Sequence, residues 1–218
     1  QNFEPDIKGG YRRVSGTALF NTTQVPQGSS NTSLIVDCSI IFNGQVIVAR
    51  GGDIHRGTTS GSYTTLTTGL GTSTRAYDFE KFNFDGTDKI IIATGHSPAQ
   101  IINSSFAVDV VNATGGGTPP SNPKFVKAFQ NHMFYAGATN PQEVIFSVQF
   151  SEDNFTTGSG AGSFKVDSTV VGLKVFRNEL IIFCEDRIYK LTGTSSSNFA
   201  VQEVTRNIGC RDGGSIQE

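Results

Sequence analysis

The chain has 218 residues, a net charge of −2 and 17% charged side chains, against about 25% in an ordinary soluble domain. That balance excludes a dedicated nucleic-acid binder, which would be strongly basic. Its 25 glycines, with many Ser, Thr and Asn, read as the neutral, turn-rich surface of an assembly-type all-β protein, long enough to bury a core without metal or disulfide staples.

Residues 1–30 read as an N-terminal extension with a leading strand at Thr17-Ala18-Leu19-Phe20. From residue 31 to 218 the chain repeats. A Phe followed by a turn pair recurs at Phe42-Asn43-Gly44, Phe84-Asp85-Gly86, Phe129-Gln130-Asn131 and Phe176-Arg177-Asn178, at spacings of 42, 45 and 47. Each Phe closes a first strand (34–42, 77–84, 125–129 and 170–176). Asn-Gly and Asp-Gly tolerate the positive φ of a tight hairpin. Each turn opens an apolar second run, at 46–49, 90–93, 133–136 and 180–184. Third strands follow at 54–56, 100–102, 143–147 and 187–191, and more polar fourth strands at 63–66, 106–111, 164–166 and 199–204.

Four antiparallel strands per 42–47 residues is the size of a β-propeller blade. The fold class read from the sequence is therefore all-β, with about four blades, forming either a ring of four or part of a longer propeller. A β-sandwich has similar strand spacing, but the in-phase recurrence of Phe, turn and apolar run favours the propeller. Gly115-Gly116-Gly117-Thr118-Pro119-Pro120, in a flexible point near 115–123, separates the second and third units. Gly209-Cys210-Arg211-Asp212-Gly213-Gly214 reads as a loop entering a further unit. The start at Gln1, without methionine, reads as a start after processing or inside a longer chain.

Cys38, Cys184 and Cys210 are widely spaced and form no disulfide framework or zinc pair. No apolar run reaches the ~18 residues of a membrane helix. Asn21-Thr22-Thr23, Asn31-Thr32-Ser33 and Asn154-Phe155-Thr156 match the glycosylation sequon, as chance allows in a chain of this composition.

The expectation for chemistry is negative: no catalytic, cofactor-binding or metal-binding residues, no cofactor and no small-molecule substrate. His55, His96 and His132 occupy different positions in their units, so no shared face gathers them. HExxH, GxSxG and GxxxxGK[ST] are absent. Ser151-Glu152-Asp153-Asn154-Phe155-Thr156 starts like a sialidase aspartate box but has Phe155 where that box needs glycine. Asp78, Glu80, Asp85 and Asp88 read as solvated edges rather than an acid/base pair. The chain has no Trp for stacking on sugars; Tyr63 and Phe155 are the aromatics that a binding loop could expose. Arg12, Arg13, Arg50, Arg56 and Arg75 are scattered and form no basic stripe.

One ordered set of segments carries a family resemblance. It opens with Gly9-Gly10-Tyr11-Arg12-Arg13-Val14-Ser15-Gly16-Thr17. It resumes at Ala136-Gly137-Ala138-Thr139-Asn140-Pro141-Gln142-Glu143-Val144-Ile145-Phe146-Ser147 and Glu152-Asp153-Asn154-Phe155. Residues 170–183, Arg187-Ile188-Tyr189-Lys190-Leu191-Thr192-Gly193 and Ile208-Gly209-Cys210 complete it. Over about half its length the chain resembles the β-propeller virion proteins of tailed phages, of the tail nozzle (tail tubular B) and tail stabilisation kind. Ser15 stands where that family usually has proline, and Ser147-Val148 where Ser-Asp is common.

The resemblance implies a non-catalytic virion component of the phage tail. It would be a homo-oligomer (ring) meeting other tail or adaptor proteins, crossed non-specifically by DNA during ejection, with no membrane span. A neutral lining suits such a conduit, because strong phosphate binding would stall passage. The expected contact segments are the Gly-rich stretches 50–61, 137–142 and 156–162. The alternative is a host-recognition or adhesin module on the same scaffold; a propeller hydrolase would need convergent carboxylates at the ring centre.

Overall fold

A computed structural model describes residues 21, 23–29, 36–58, 61–71 and 77–216, together with the backbone of 3–5 and 11–13. The expected strand at 17–20, the Asn31 sequon and Arg75 lie outside the described residues. A short hairpin, β1 (Phe3–Pro5) and β2 (Tyr11–Arg13), stands apart from the repeat.

Four four-stranded antiparallel sheets follow in chain order. The first holds β3 (Cys38–Phe42), β4 (Gln45–Arg50), β5 (Asp53–Gly57) and β6 (Thr64–Thr67). The second holds β7 (Asp78–Phe82), β8 (Lys89–Ala93), β9 (Gln100–Ile102) and β10 (Val108–Val110). The third holds β11 (Phe125–Phe129), β12 (His132–Ala136), β13 (Glu143–Phe146) and β14 (Gly162–Lys165). The fourth holds β15 (Val170–Phe176), β16 (Glu179–Cys184), β17 (Arg187–Thr192) and β18 (Ala200–Arg206). Each sheet is a meander, and the four are blades of a β-propeller.

The turn chemistry explains the hairpins. Asn43 and Gly44 both have positive φ, as do Gln130 and Asn131, and Arg177 and Asn178. Two successive left-handed residues make the turn whose twist matches paired strands. The second blade differs from the sequence expectation. Its first strand ends at Phe82 rather than Phe84, and residues 83–88 form a six-residue loop. Phe84 folds back against Phe82 at 4.8 Å, and Asp85 accepts the Thr87 N–H within the loop at 3.0 Å.

Each blade packs on the next through the two faces of its strands. Phe42, Ile47, Ala49 and Ile54 of the first meet Ile90, Ile92 and Ile102 of the second. Phe82, Ile91 and Ala93 meet Val126, Met133 and Tyr135 of the third. Phe129, Phe134, Ala136 and Phe146 meet Leu173, Leu180, Ile182 and Leu191 of the fourth. In the first three blades the second strands are buried on both faces, which explains their continuous apolar runs. Among the described residues no such core joins the fourth blade back to the first, so the four blades form an open arc.

The links between blades repeat as well. On leaving each fourth strand, the chain donates a backbone N–H to the connection between that blade's second and third strands, in the loop for Leu70 to Gly52, Val111 to Ala99 and Val166 to Gln142 and at the end of the second strand for Cys210 to Cys184, at 2.8–3.0 Å. The link through 115–123 is bonded at Gly116 O to Phe155 N and at Pro123 O to Gly95 N, both 2.8 Å. The segment after β18 crosses the fourth blade and ends in a 3₁₀ turn, Gly213–Ser215, against Val171 and Phe125.

Candidate functional site

The first strand of each blade lines the centre of the arc. An innermost strand has one edge with no strand partner, and its N–H groups need acceptors. The second blade supplies them. Asp78 and Glu80 share a face of β7 with Phe82, because strand side chains alternate. Asp78 Oδ2 accepts the Val126 N–H at 3.0 Å and Glu80 Oε1 accepts the Ala128 N–H at 3.1 Å. Lys127 Nζ closes the arrangement at 2.9 Å from Glu80 Oε2. Burial pushes the Asp78 carboxyl up to about 6, with the Val126 bond working against it. Burial also raises Glu80, opposed by Lys127. Asp78 and Glu80 are therefore half-buried strand caps, contrary to the expectation of solvated edges. Asp85 and Asp88 do sit at the surface, where hydrogen bonds from Lys89 and Lys81 draw their proton affinity down.

The central cleft beside them has a volume of about 650 Å³ and is lined by Cys38, Asp78, Phe125, Lys174 and the 212–216 segment. Burial raises the Cys38 thiol to about 11, so it is held as the unreactive thiol. Both carboxylates are committed to backbone N–H groups, which assigns them to the architecture.

Two of the three expected contact segments come together. Residues 138–140 and, from the 156–162 segment, Thr156, Thr157, Ala161 and Gly162 line a second cleft of about 710 Å³ at the third blade, together with Gly117–Ser121. Its apolar floor includes Ile145, Phe146 and Phe155, and its polar edge includes Ser163, which donates to Glu143 at 2.8 Å. The 50–61 segment lies apart, in the first blade. There Arg50, Asp53 and His55 are buried. Arg50 Nη1 donates to the Val25 carbonyl, and Ser29 N–H donates to Asp53 Oδ2 at 2.9 Å.

The histidines stay apart. His55 pairs with Thr65 Oγ1 at 3.1 Å, His96 is exposed, and His132 sits among Phe134, Phe146 and Phe199 with Nδ1 2.6 Å from the Ser147 carbonyl oxygen. Burial lowers the proton affinity of His55 and His132 and holds both neutral. Among the described residues no group of three or more His, Cys, Asp or Glu could hold a metal ion. Phe155 is 5% exposed and packs on Tyr135 at 5.7 Å, so it belongs to the floor of the second cleft and is not an aromatic displayed on a loop. Tyr63 is half-buried over Gly57, where a Cβ would lie 2.3 Å from its ring.

No family model matches the chain, and no curated protein matches it. Solved structures do, and they are β-propeller proteins. The chain is similar to one in the crystal structure of the mitotic checkpoint complex, with 16% identity, a TM-score of 0.50, and coverage of 77% of this chain and 50% of that one. The N-terminal domain of Nup159 matches at 11% identity and a TM-score of 0.46, over 84% of this chain and 46% of that one. BBS1N in complex with ARL6DN matches at 12% identity and 0.45, over 76% and 53%. The chain thus spans about half the length of these structures. Likeness at such identity concerns the fold.

The sequence reading missed one surface, the outward face of the fourth blade, which carries Phe176, Ile181, Phe183 and Ile188. Its signal was available: the fourth unit repeats the alternation that the first three use for packing.

Proposed function

We propose that the chain is a non-catalytic structural component of a phage tail, of the nozzle kind, that works as a rigid scaffold for assembly in the virion. The observation that carries this reading is the ordered resemblance. Its longest segments fall on consecutive elements, from the end of β12 through β17, with the Gly-rich 137–142 loop opening onto the second cleft. The commitment of Asp78 and Glu80 to backbone N–H groups supports a scaffold over a hydrolase, because a carboxylate pair engaged by its own blade has no acid/base role to play.

On this reading copies of the chain meet one another and other tail or adaptor proteins. DNA crosses a channel formed between the subunits of the ring. The test is to label phage particles with an antibody against the chain and to image the purified chain after mixing with tail proteins. Label at the tail and incorporation into tail structures are expected. Particles without label, together with glycan-array binding by the free chain, would replace the reading with the adhesin one.

A further inference from the structure

The second cleft lies between the 117–121 link and the outer strands of the third blade, and its walls are fixed. Gly117 has a φ of +81°, and a Cβ there would run into the Phe155 carbonyl, so glycine lets the link close onto the floor. The Gly116 carbonyl accepts the Phe155 N–H at 2.8 Å, and Pro119 and Pro120 stiffen the wall beyond it. On the other side Gly162 stands where a Cβ would lie 2.8 Å from the Phe146 ring. At about 710 Å³ the cleft falls among ligand sites, which run to about 300–1,000 Å³. A site already shaped loses little freedom when it is filled.

Its chemistry is one-sided. Phe146, Phe155 and Ala161 are buried beneath it and Ile145 is half-buried. Glu143 is the only ionisable residue among those that line it. Alternation puts Glu143 on the same face of β13 as Ile145, with Lys165 and Ser163 opposite them on β14. The Ser163 hydroxyl donates to Glu143 Oε1 at 2.8 Å. Lys165 is exposed, and Glu143 makes no ion pair among the described residues. A single charged acceptor, Oε2, is left beside an apolar floor. Thr118, Thr139 and Asn140 add neutral oxygens to the lining.

This set selects the cation that fits. A guanidinium is matched by a carboxylate with both oxygens available for two parallel bonds. Here one oxygen is already engaged, and a compact ammonium needs only the other. The alkyl stem of lysine covers apolar surface while its head keeps polar company. We propose that the cleft receives a lysine side chain from an extended segment of a partner protein, with the stem on Ile145, Phe146 and Phe155 and the ammonium at Glu143. A place in a phage tail is not needed for this, and the loss of either reading leaves the other standing.

The test is an NMR titration of the full chain with N-acetyl-lysine N-methylamide, beside its norleucine and arginine counterparts. Norleucine keeps an apolar stem and lacks the charge. Saturable shifts at the amides of Ile145, Ala161 and Gly162 are expected for lysine, at an affinity at least tenfold above that of norleucine and above that of arginine. Glu143→Gln is expected to lower the lysine affinity at least tenfold and to leave norleucine unchanged. Asp109→Asn, exposed on the second blade, is expected to change neither. Resonances away from the cleft check that each variant folds, and the comparison of lysine with norleucine needs no variant. Lysine without saturable shifts, or with shifts confined to other parts of the chain, overturns the proposal. So does a lysine affinity no higher than that of norleucine or arginine, or one untouched by Glu143→Gln.

Discussion

The two ends of the arc are built differently. At the first blade the outer surface buries Arg50, Asp53 and His55 beneath bonds to Val25 and Ser29, and leaves Ile41 exposed at its edge. Asp53 alone accepts from the Ser29 N–H, the Ser29 hydroxyl and the Gly69 N–H, at 2.9, 2.5 and 3.2 Å. At the fourth blade the outer surface alternates apolar side chains with Lys174, Glu179 and Lys190. Repeat proteins need terminal units with a polar outer face, because each inner unit relies on a neighbour to bury its own. By that rule the first blade's outer face, with Arg50, Asp53 and His55 buried in it, has the polar character of a cap, and the fourth keeps the surface pattern of an interior unit.

The sharpest way to break this comparison is to make one substitution at two equivalent positions. Phe129→Ala empties a site packed by Phe134 and Phe199 at 6.0 and 6.3 Å. It is expected to cost about 3–5 kcal/mol in urea unfolding. Phe176→Ala removes the same group from a mostly exposed site and is expected to cost under about 1 kcal/mol. Similar losses at both would mean that the fourth blade is covered after all.

Next in size is the cover on the first blade. Asp53→Ala leaves three donors without their acceptor and is expected to cost about 1–3 kcal/mol. It should also speed proteolytic cleavage within 21–29. Unchanged cleavage would show that the segment is held by other contacts.

The central carboxylate gives a comparable effect with a pH signature. Asp78 has a folded-state pKa of about 6, above its ordinary value of 3.8. The folded chain therefore binds this proton more tightly than the unfolded chain. Ionised Asp78 opposes folding at neutral pH, and that opposition is relieved as pH falls through 6 toward 4. Asp78→Asn should remove this pH-dependent contribution, about 1–3 kcal/mol between pH 7.5 and 4.5, as read from melting curves of the two proteins. Parallel curves would place the Asp78 pKa near its ordinary value. The smallest effect belongs to Glu179→Gln. Its partly exposed pair with Lys190 is worth about 0.2–1 kcal/mol within one chain, so a larger loss, dependent on protein concentration, would report a contact between copies.

Much of the architecture was legible because its signals are local. Asn43-Gly44 marks a turn, and the runs 46–49, 90–93, 133–136 and 180–184 mark the second strands, without reference to distant residues. The slip at Phe84 has a local cause too. Phe82 and Phe84 have the same parity, so alternation cannot choose between them, and Asp85-Gly86 resembles a two-residue turn. Pairing decides it: Phe82 faces Lys89, which leaves six residues to cross the gap. Phe155 went astray for a different reason. Its Asn-Phe-Thr setting reads as exposed loop, yet the loop folds back under the 115–117 link and places the ring on Tyr135.

The sequence by itself determined the strands, most of their turns and the period that makes them blades, since each depends on residues within one hairpin. Only the tertiary structure decided what the blade faces and carboxylates do. Asp78 and Glu80 cap backbone groups 48 positions away, and Phe129 and Phe176 differ in whether another sheet lies upon them. Burial is a property of neighbours brought together by the fold, and alternation along a strand encodes a face without encoding its partner.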